Sequence, residues 1–307
     1  MRVFLTGGRG MVGQNLLAHP LAKQHEMHAP ARAELDLRRK PAVVDYLRGL
    51  KPELVIHAAG KVGGIQANVD DPYGFLLENL EIGTNVVAAA VETGVERMIN
   101  LSSSCIYPRG VDGLLSEDMI LKAELEPTNE GYALAKVAAL RLCQFASASA
   151  TGRQYKTVIP CNLFGPWDNF DLQSAHLIPA IINKVHRAKI DGLPTVEIWG
   201  DGLARREFMY SGDLADAVHQ MAMRFDSAPS LMNLGLGVDH TVLEYYQSVA
   251  EVIGWQGEFT FDVTKPAGMR RKVVDISRQT AWGWQASTPL ADGMRSAYQF
   301  FLRRSRP

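Results

Sequence analysis

Two spacings of apolar residues take turns along the first half of this 307-residue chain. Short apolar runs with β-branched residues read as strands: Arg2-Val3-Phe4-Leu5-Thr6, then Leu54 to Ala59, 97 to 102, and Tyr155 to Pro160. Between them apolar positions recur at helical intervals, from Gln14-Asn15-Leu16-Leu17 onward, over 73 to 94 and over 131 to 148. Such repetition predicts an α/β fold of the Rossmann type, a doubly wound parallel sheet with helices on both faces. After Gly165-Pro166 the alternation breaks down into a helix near 174 to 188, a strand near 195 to 199, helices near 211 to 224 and 241 to 254, and a short run at Phe259 to Phe261. This predicts a large α/β domain over 1–165. A smaller substrate-binding lobe over 166–307 would send some segments back to the large sheet. The tail Arg303-Arg304-Ser305-Arg306-Pro307 reads as a frayed end.

In a doubly wound sheet the ligand lies outside the carboxyl ends of the strands. Gly7, Ala58 to Lys61, Ser102 to Cys105 and Cys161-Asn162 fall at such ends and should converge on one crevice. The first turn, Gly7-Gly8-Arg9-Gly10-Met11-Val12-Gly13, joins a strand to a helix with glycines every third residue. Glycines so placed allow a tight turn, a close backbone approach to a pyrophosphate, and tight helix–strand packing. An NAD site usually carries Asp or Glu about 20 residues further on. Here the stretch reads His28-Ala29-Pro30-Ala31-Arg32, without a carboxylate. Arg32 and Arg9 suit a 2′-phosphate, which favours NADP(H) over NAD, although arginines in loops are also ordinary solvated surface. Asp36 is placed to meet the adenine end.

Tyr132 and Lys136 stand four residues apart, one turn on a helix face, and Ser103 follows an apolar strand. A phenol titrates near 10 and is a poor acid or base at neutral pH unless its anion is stabilised. Lys136 is expected to supply that stabilisation, and the Ser103 hydroxyl to hydrogen-bond the same substrate oxygen.

Bulk properties exclude other classes more than they select this one. With 47% hydrophobic and 21% charged residues the chain can bury a large core, and its formal charge of −1 argues against nucleic acid or an anionic membrane as partner. No apolar run reaches the length of a membrane span. Three cysteines, Cys105, Cys143 and Cys161, and a start directly on a strand point to a reducing cytoplasm. No metal-ligand pattern is present.

With Ser103, Tyr132 and Lys136 behind the glycine loop, the chain resembles the extended short-chain dehydrogenase/reductase family, and within it the GDP-L-fucose synthase-like branch. The resemblance is carried by Lys61-Val62-Gly63-Gly64-Ile65, Ser103-Ser104-Cys105-Ile106-Tyr107-Pro108, Leu125 to Glu130, Asn162-Leu163-Phe164-Gly165-Pro166 with Asp168-Asn169-Phe170, His176-Leu177-Ile178-Pro179-Ala180, Trp199-Gly200 and Arg206-Glu207-Phe208. It implies an NADPH-dependent C4 reductase of a GDP-linked 4-keto-6-deoxy sugar, with Cys105 and His176 as the acid–base pair of a 3,5-epimerisation. It extends the cofactor site to Leu37, Ala58, Ala59, Gly60, Leu101, Ser102, Lys136, Pro160, Asn162 and Leu163. Asn162, Lys184, Trp199, Arg206 and Lys265 become substrate contacts. A homodimer through the helices near 73 to 94 and 131 to 148 is implied as well.

Departures open a second branch. Lys184 stands where the fucose enzymes usually carry arginine, Trp167 where they carry histidine, and His57 and Gly60 interrupt a run of alanines. Other segments look closer to reductases of GDP-6-deoxy-heptoses in bacterial capsule pathways, which need not epimerise. His57 inside a strand reads as a core or crevice-wall residue, and Cys143 and Cys161 as small buried ones. A redox-neutral NAD-dependent 4-epimerase or dehydratase, and a non-catalytic dinucleotide sensor, are the competing classes.

Overall fold

The computed structural model describes residues 1–265 and 270–304. In chain order the strands are β1 (Arg2–Thr6), β2 (Glu26–His28), β3 (Leu54–His57), β4 (Arg97–Leu101), β5 (Gln154–Pro160), β6 (Asn162–Phe164), β7 (Thr195–Trp199), β8 (Arg205–Arg206), β9 (Phe208–Tyr210), β10 (Leu231–Leu234), β11 (His240–Thr241), β12 (Glu258–Asp262) and β13 (Arg271–Lys272). The helices are α1 (Met11–Ala18), α2 (Lys40–Leu50), α3 (Ile65–Asp70), α4 (Pro72–Glu92), α5 (Glu130–Ala148), α6 (Leu177–Ile190), α7 (Ser211–Met223), α8 (Val242–Ile253), α9 (Ser277–Trp282) and α10 (Leu290–Arg304).

Six strands form one parallel sheet in the order β10-β5-β4-β3-β1-β2. Alternate residues of each strand enter different cores, which is why the strands read as unbroken apolar runs. Val3, Leu5, Leu54, Ile56, Ile99 and Leu101 pack with Leu16, Leu214, Val218 and Met221 on the side of α1 and α7. Phe4, Val55 and Met98 pack with Val43, Leu47, Val86, Val87 and Cys143 on the side of α2, α4 and α5. Thr6 is opposite His57, His57 opposite Asn100, and Leu101 opposite Val158. The carboxyl ends of β1, β3, β4 and β5 are therefore level along one edge. Because β1 has β2 on one side and β3 on the other, the strand order reverses there and a crevice opens.

A second core, built from Ile178, Ile181, Val185, Ile198, Phe208, Tyr245, Val249, Ile253, Trp255, Met294 and Phe301, organises α6, α8, α10 and the parallel pair β7–β12. α8 shows how locally it is specified: Thr241 and Glu244 form a reciprocal capping box at its start, and Gly254 ends it at φ 73°. β10, the next strand of the large sheet after β5, comes from late in the chain. Of the C-terminal tail, Arg303 and Arg304 close α10, while Ser305 to Pro307 lie outside the described residues. Among the described residues no helix is long and apolar enough to cross a membrane.

Candidate active site

One cleft of about 800 Å³ runs along the level strand ends. At its inner end the glycine loop leads from β1 into α1. Gly7 sits at φ +75°, and a Cβ on Gly13 would meet the Gly7 carbonyl oxygen at 2.2 Å, so α1 can approach the loop only because residue 13 has no side chain. A Cβ on Gly10 would meet nothing closer than 3.5 Å, so bare backbone there is not a packing requirement. α1 starts at Gly10 with no side-chain cap and no acidic residue in its first turn, leaving its N–H groups directed outward for an anion. Thr6 closes the turn from below: its hydroxyl oxygen accepts from the backbone N–H of Ala58 at 3.2 Å and of Ala59 at 3.1 Å, and pairs with His57 Nδ1 at 2.8 Å. Burial, helped by the nearby Lys136 charge, pushes His57 down to about 3 and keeps it neutral, as befits a wall residue.

All the residues expected to hold the dinucleotide line this cleft: Gly7 to Gly13, Arg32, Asp36, Leu37, Ala58, Ala59, Gly60, Leu101, Ser102, Lys136, Pro160, Asn162 and Leu163. The Ser102 hydroxyl, Asn68 Oδ1, Asn129 Oδ1 and Asp168 Oδ2 are buried cleft-wall atoms with no hydrogen-bond partner among the described residues. Unpaired buried polar atoms are costly, so their concentration here fits a wall completed by a polar ligand. Arg32 is mostly exposed and only loosely paired, 3.8 Å from Glu78. Its neighbour Arg38, which the sequence reading missed, also lines the cleft. It grips Asp36 through Nε at 3.0 Å and a terminal nitrogen at 2.7 Å, holding that carboxyl down to about 2. Asp36, expected at the adenine end, is thus already engaged by a cation.

At the middle of the cleft α5 presents Tyr132 and Lys136 one turn apart. The Ser103 hydroxyl hydrogen-bonds the phenol, and Lys136 Nζ donates to the Leu101 carbonyl at 3.1 Å while lying 5.8 Å from the centre of the Tyr132 ring. The electrostatics correct one expectation. Burial raises Tyr132 above the ordinary phenol value, outweighing the Ser103 hydrogen bond, and burial pulls Lys136 down to about 8. The amine does not make the phenol more acidic here, because desolvation of both groups is the larger effect. Tyr132 stays protonated through the neutral range, which suits a proton donor.

Cys105 follows Ser103 in a single tight turn, its N–H donating to the Ser103 hydroxyl at 3.3 Å. His176 immediately precedes α6; its side chain is open to the cleft, and the surrounding protein, together with Lys272, lowers it. Arg206 on β8 lines the same cleft and is lowered by burial. Two residues that sequence reasoning left unassigned stand here. Asp168, buried and pushed up to about 7 by that burial, accepts the Asn169 N–H on one oxygen at 2.8 Å, and its other oxygen has no partner among the described residues. Lys272 on β13 approaches Cys105 from across the chain. Asp168 lies in a segment that carries the resemblance, without a role of its own, but nothing in the sequence signals Lys272.

The remaining substrate candidates form a separate cluster on the small lobe. Trp199 is half-exposed, with Lys184 Nζ 5.3 Å and Lys265 Nζ 5.6 Å from its ring. None of the three borders the main cleft. An indole flanked by two ammonium groups is a platform for a flat, anion-bearing group.

Residues 3–235 match the NAD dependent epimerase/dehydratase family. The chain is 47% identical over 302 residues to a GDP-L-colitose synthase of Yersinia pseudotuberculosis, covering 98% of each chain. It is 48% identical over 301 residues to a GDP-L-fucose synthase of Azorhizobium caulinodans, covering 98% of this chain and 96% of that one. Its fold superposes on a GDP-mannoheptose C4 reductase from Campylobacter jejuni with NADP bound, at TM-score 0.87, 28% identity and 98% coverage of both chains. The glycine cradle, the Tyr132–Lys136 turn and these likenesses together place the chain in the NAD dependent epimerase/dehydratase family.

Proposed function

We propose that this chain is an NADPH-dependent C4 reductase of a GDP-linked 4-keto-6-deoxy sugar that also epimerises C3 and C5 through Cys105 and His176. The observation that carries the reading is one cleft lined by the glycine cradle, Ser103, Tyr132 and Lys136, and Cys105 with His176. The names of the relatives support the substrate class. NADPH bound along the strand ends supplies the hydride for C4. Ser103 and Tyr132 hydrogen-bond the C4 oxygen, and Tyr132 gives it a proton. Lys136 holds the nicotinamide ribose. The C4 ketone acidifies C3 and C5, so a thiol and an imidazole can remove and return a proton there. Arg206 meets the diphosphate, and Trp199 with Lys184 and Lys265 takes the outer part of the nucleotide.

A heptose form of the same reaction, without epimerisation, is favoured by one observation, the likeness to the heptose C4 reductase. Incubating each keto-sugar with NADPH, with product identification by NMR in deuterated water, separates the two. Deuterium at C3 and C5 of the product supports epimerisation, and its absence supports the heptose-type reaction. Protein that converts sugar without consuming NADPH while retaining NAD through dialysis would overturn both.

Residues 1–165 serve as the NADP-binding part and 166–307 mainly as the substrate-binding part, in a cytoplasmic enzyme of polysaccharide precursor synthesis. Two copies pair through α4 and α5, where Tyr73, Leu77, Leu134, Leu142 and Phe145 leave apolar side chains exposed. Phe145→Glu is expected to turn a dimer into a monomer in analytical ultracentrifugation; an unchanged sedimentation coefficient would move the interface elsewhere.

Arg32→Ala is expected to weaken NADPH binding about 10- to 100-fold, the worth of one charge-assisted contact to a phosphate. NADH binding should change less than about threefold. Calorimetric titration with both coenzymes checks this, and equal losses would separate Arg32 from the 2′-phosphate.

A further inference from the structure

Cys105 Sγ has two donors aimed at it: Asn129 Nδ2 at 3.4 Å and Lys272 Nζ at 3.5 Å. An ammonium has no acceptor capacity, so in this contact the sulfur can only accept. Donation from a cation and an amide to one sulfur solvates its anionic form, the form that is both nucleophile and base.

The geometry is built rather than incidental. Lys272 is 167 residues from Cys105 and reaches it because β13 pairs in parallel with β8, setting Lys272 opposite Arg206. The strand is fixed just beyond that point by Glu207. This buried carboxylate accepts the N–H of Val274 at 2.8 Å and those of Leu236 and Gly237 at 2.5 and 2.9 Å. Asn129 is held at the start of α5, one turn before Tyr132. The other charged or titratable groups lining the cleft around the sulfur are Tyr132 and Lys136 from α5, Glu126 from the turn before it, Asp168 after β6, His176 ahead of α6, and Arg206 on β8. The three cations Lys136, Arg206 and Lys272 outnumber the two carboxyl groups, Glu126 and Asp168, and burial pushes Asp168 up to about 7.

We propose that Lys272 is a positioning residue whose ammonium, together with the Asn129 amide, holds Cys105 as a thiolate in the free enzyme. The proton goes to solvent, and the cysteine arm of the cleft is ready to accept one from the sugar. The use made of the thiolate rests on the epimerisation proposed above, whereas the ion pair itself does not.

Iodoacetamide alkylation of the full-length protein, followed peptide by peptide in mass spectrometry across pH, reads the thiolate directly. Cys143 and Cys161 are buried and serve as slow internal references. A free thiol alkylates with a midpoint near pH ~8.5. The expected wild-type midpoint for Cys105 is at least about one unit lower. Lys272→Met is expected to raise it by about one unit, with about tenfold slower alkylation at pH values below both midpoints, and Lys272→Arg to restore most of the loss. A wild-type midpoint at or above the free-thiol value overturns the proposal without any variant. So does an unchanged midpoint in Lys272→Met protein that still binds NADPH. Should that variant fail to fold, Asn129→Asp puts a carboxylate in place of the amide and must raise the midpoint; no rise again overturns it. Alkylation needs no turnover. A chain that reduces neither keto-sugar would sink the proposed function and leave this result standing, and the reverse outcome is equally readable.

Discussion

Replacing Tyr132 with phenylalanine is expected to lower kcat for ketone reduction by about 10³-fold while leaving NADPH affinity within a factor of about two. The phenol is the group of the cleft's centre that is both hydrogen-bonded by Ser103 and kept protonated by burial. Removing one oxygen takes away the proton donor and little volume, so the ring continues to pack against Lys136. General acid catalysis by a positioned side chain contributes on the order of 10²- to 10⁴-fold, and a ketone reduced without its acid must leave an alkoxide in a partly desolvated cleft. Single-turnover measurement of NADPH oxidation checks the rate, and fluorescence titration checks binding. Turnover within about tenfold of wild type would remove Tyr132 from the role.

Gly13→Ala and Gly10→Ala are expected to diverge, and their comparison tests the cradle. At residue 13 the new Cβ would lie 2.2 Å from the Gly7 oxygen and 2.6 Å from Gly8 Cα, both backbone atoms that cannot rotate away. α1 must shift, at an expected cost of about 1–3 kcal/mol in stability, and NADPH should bind about 100-fold more weakly because the outward N–H groups move with it. At residue 10 the Cβ has room, with its nearest neighbour at 3.5 Å. Gly10→Ala should therefore melt like wild type in differential scanning calorimetry yet lose NADPH affinity, since the methyl group stands where the phosphates approach the backbone. Normal affinity in both variants would mean that the dinucleotide does not lie on this loop.

How far the sequence carries this picture varies with the kind of interaction. β1, β3, β4 and β5 are legible because strands buried on both faces must be apolar along their whole length, as Val3, Phe4 and Leu5 are. β10 is hidden in Leu231 to Leu234, a run broken by Asn233, which is buried because Tyr107 donates to its side chain and its amide donates to the carbonyls of Leu115 and Asp275. α2 follows Arg39 with no side-chain cap and no acidic residue in its first turn, so Pro41 is the sole start signal it offers. Tyr132 and Lys136 are readable as a pair because a helix turn puts them together. The sign of their electrostatics is not, since it depends on how deeply each is buried. Lys272 and Asp168 enter the cleft through tertiary contacts that no local spacing encodes. Lys184, Trp199 and Lys265 are legible only alongside Asn162 and Arg206 as substrate contacts, and the fold alone gathers the three and separates them from the main cleft.

The central claim, that the cleft spends NADPH to reduce a C4 ketone on a GDP-linked sugar, is tested most directly by measuring NADPH oxidation against product formed from GDP-4-keto-6-deoxymannose and its heptose counterpart. The account predicts that one of the two sugars is converted to a C4 alcohol with one NADPH consumed per product. Conversion without NADPH consumption, or no reduction of either sugar by protein that binds NADPH, would contradict it.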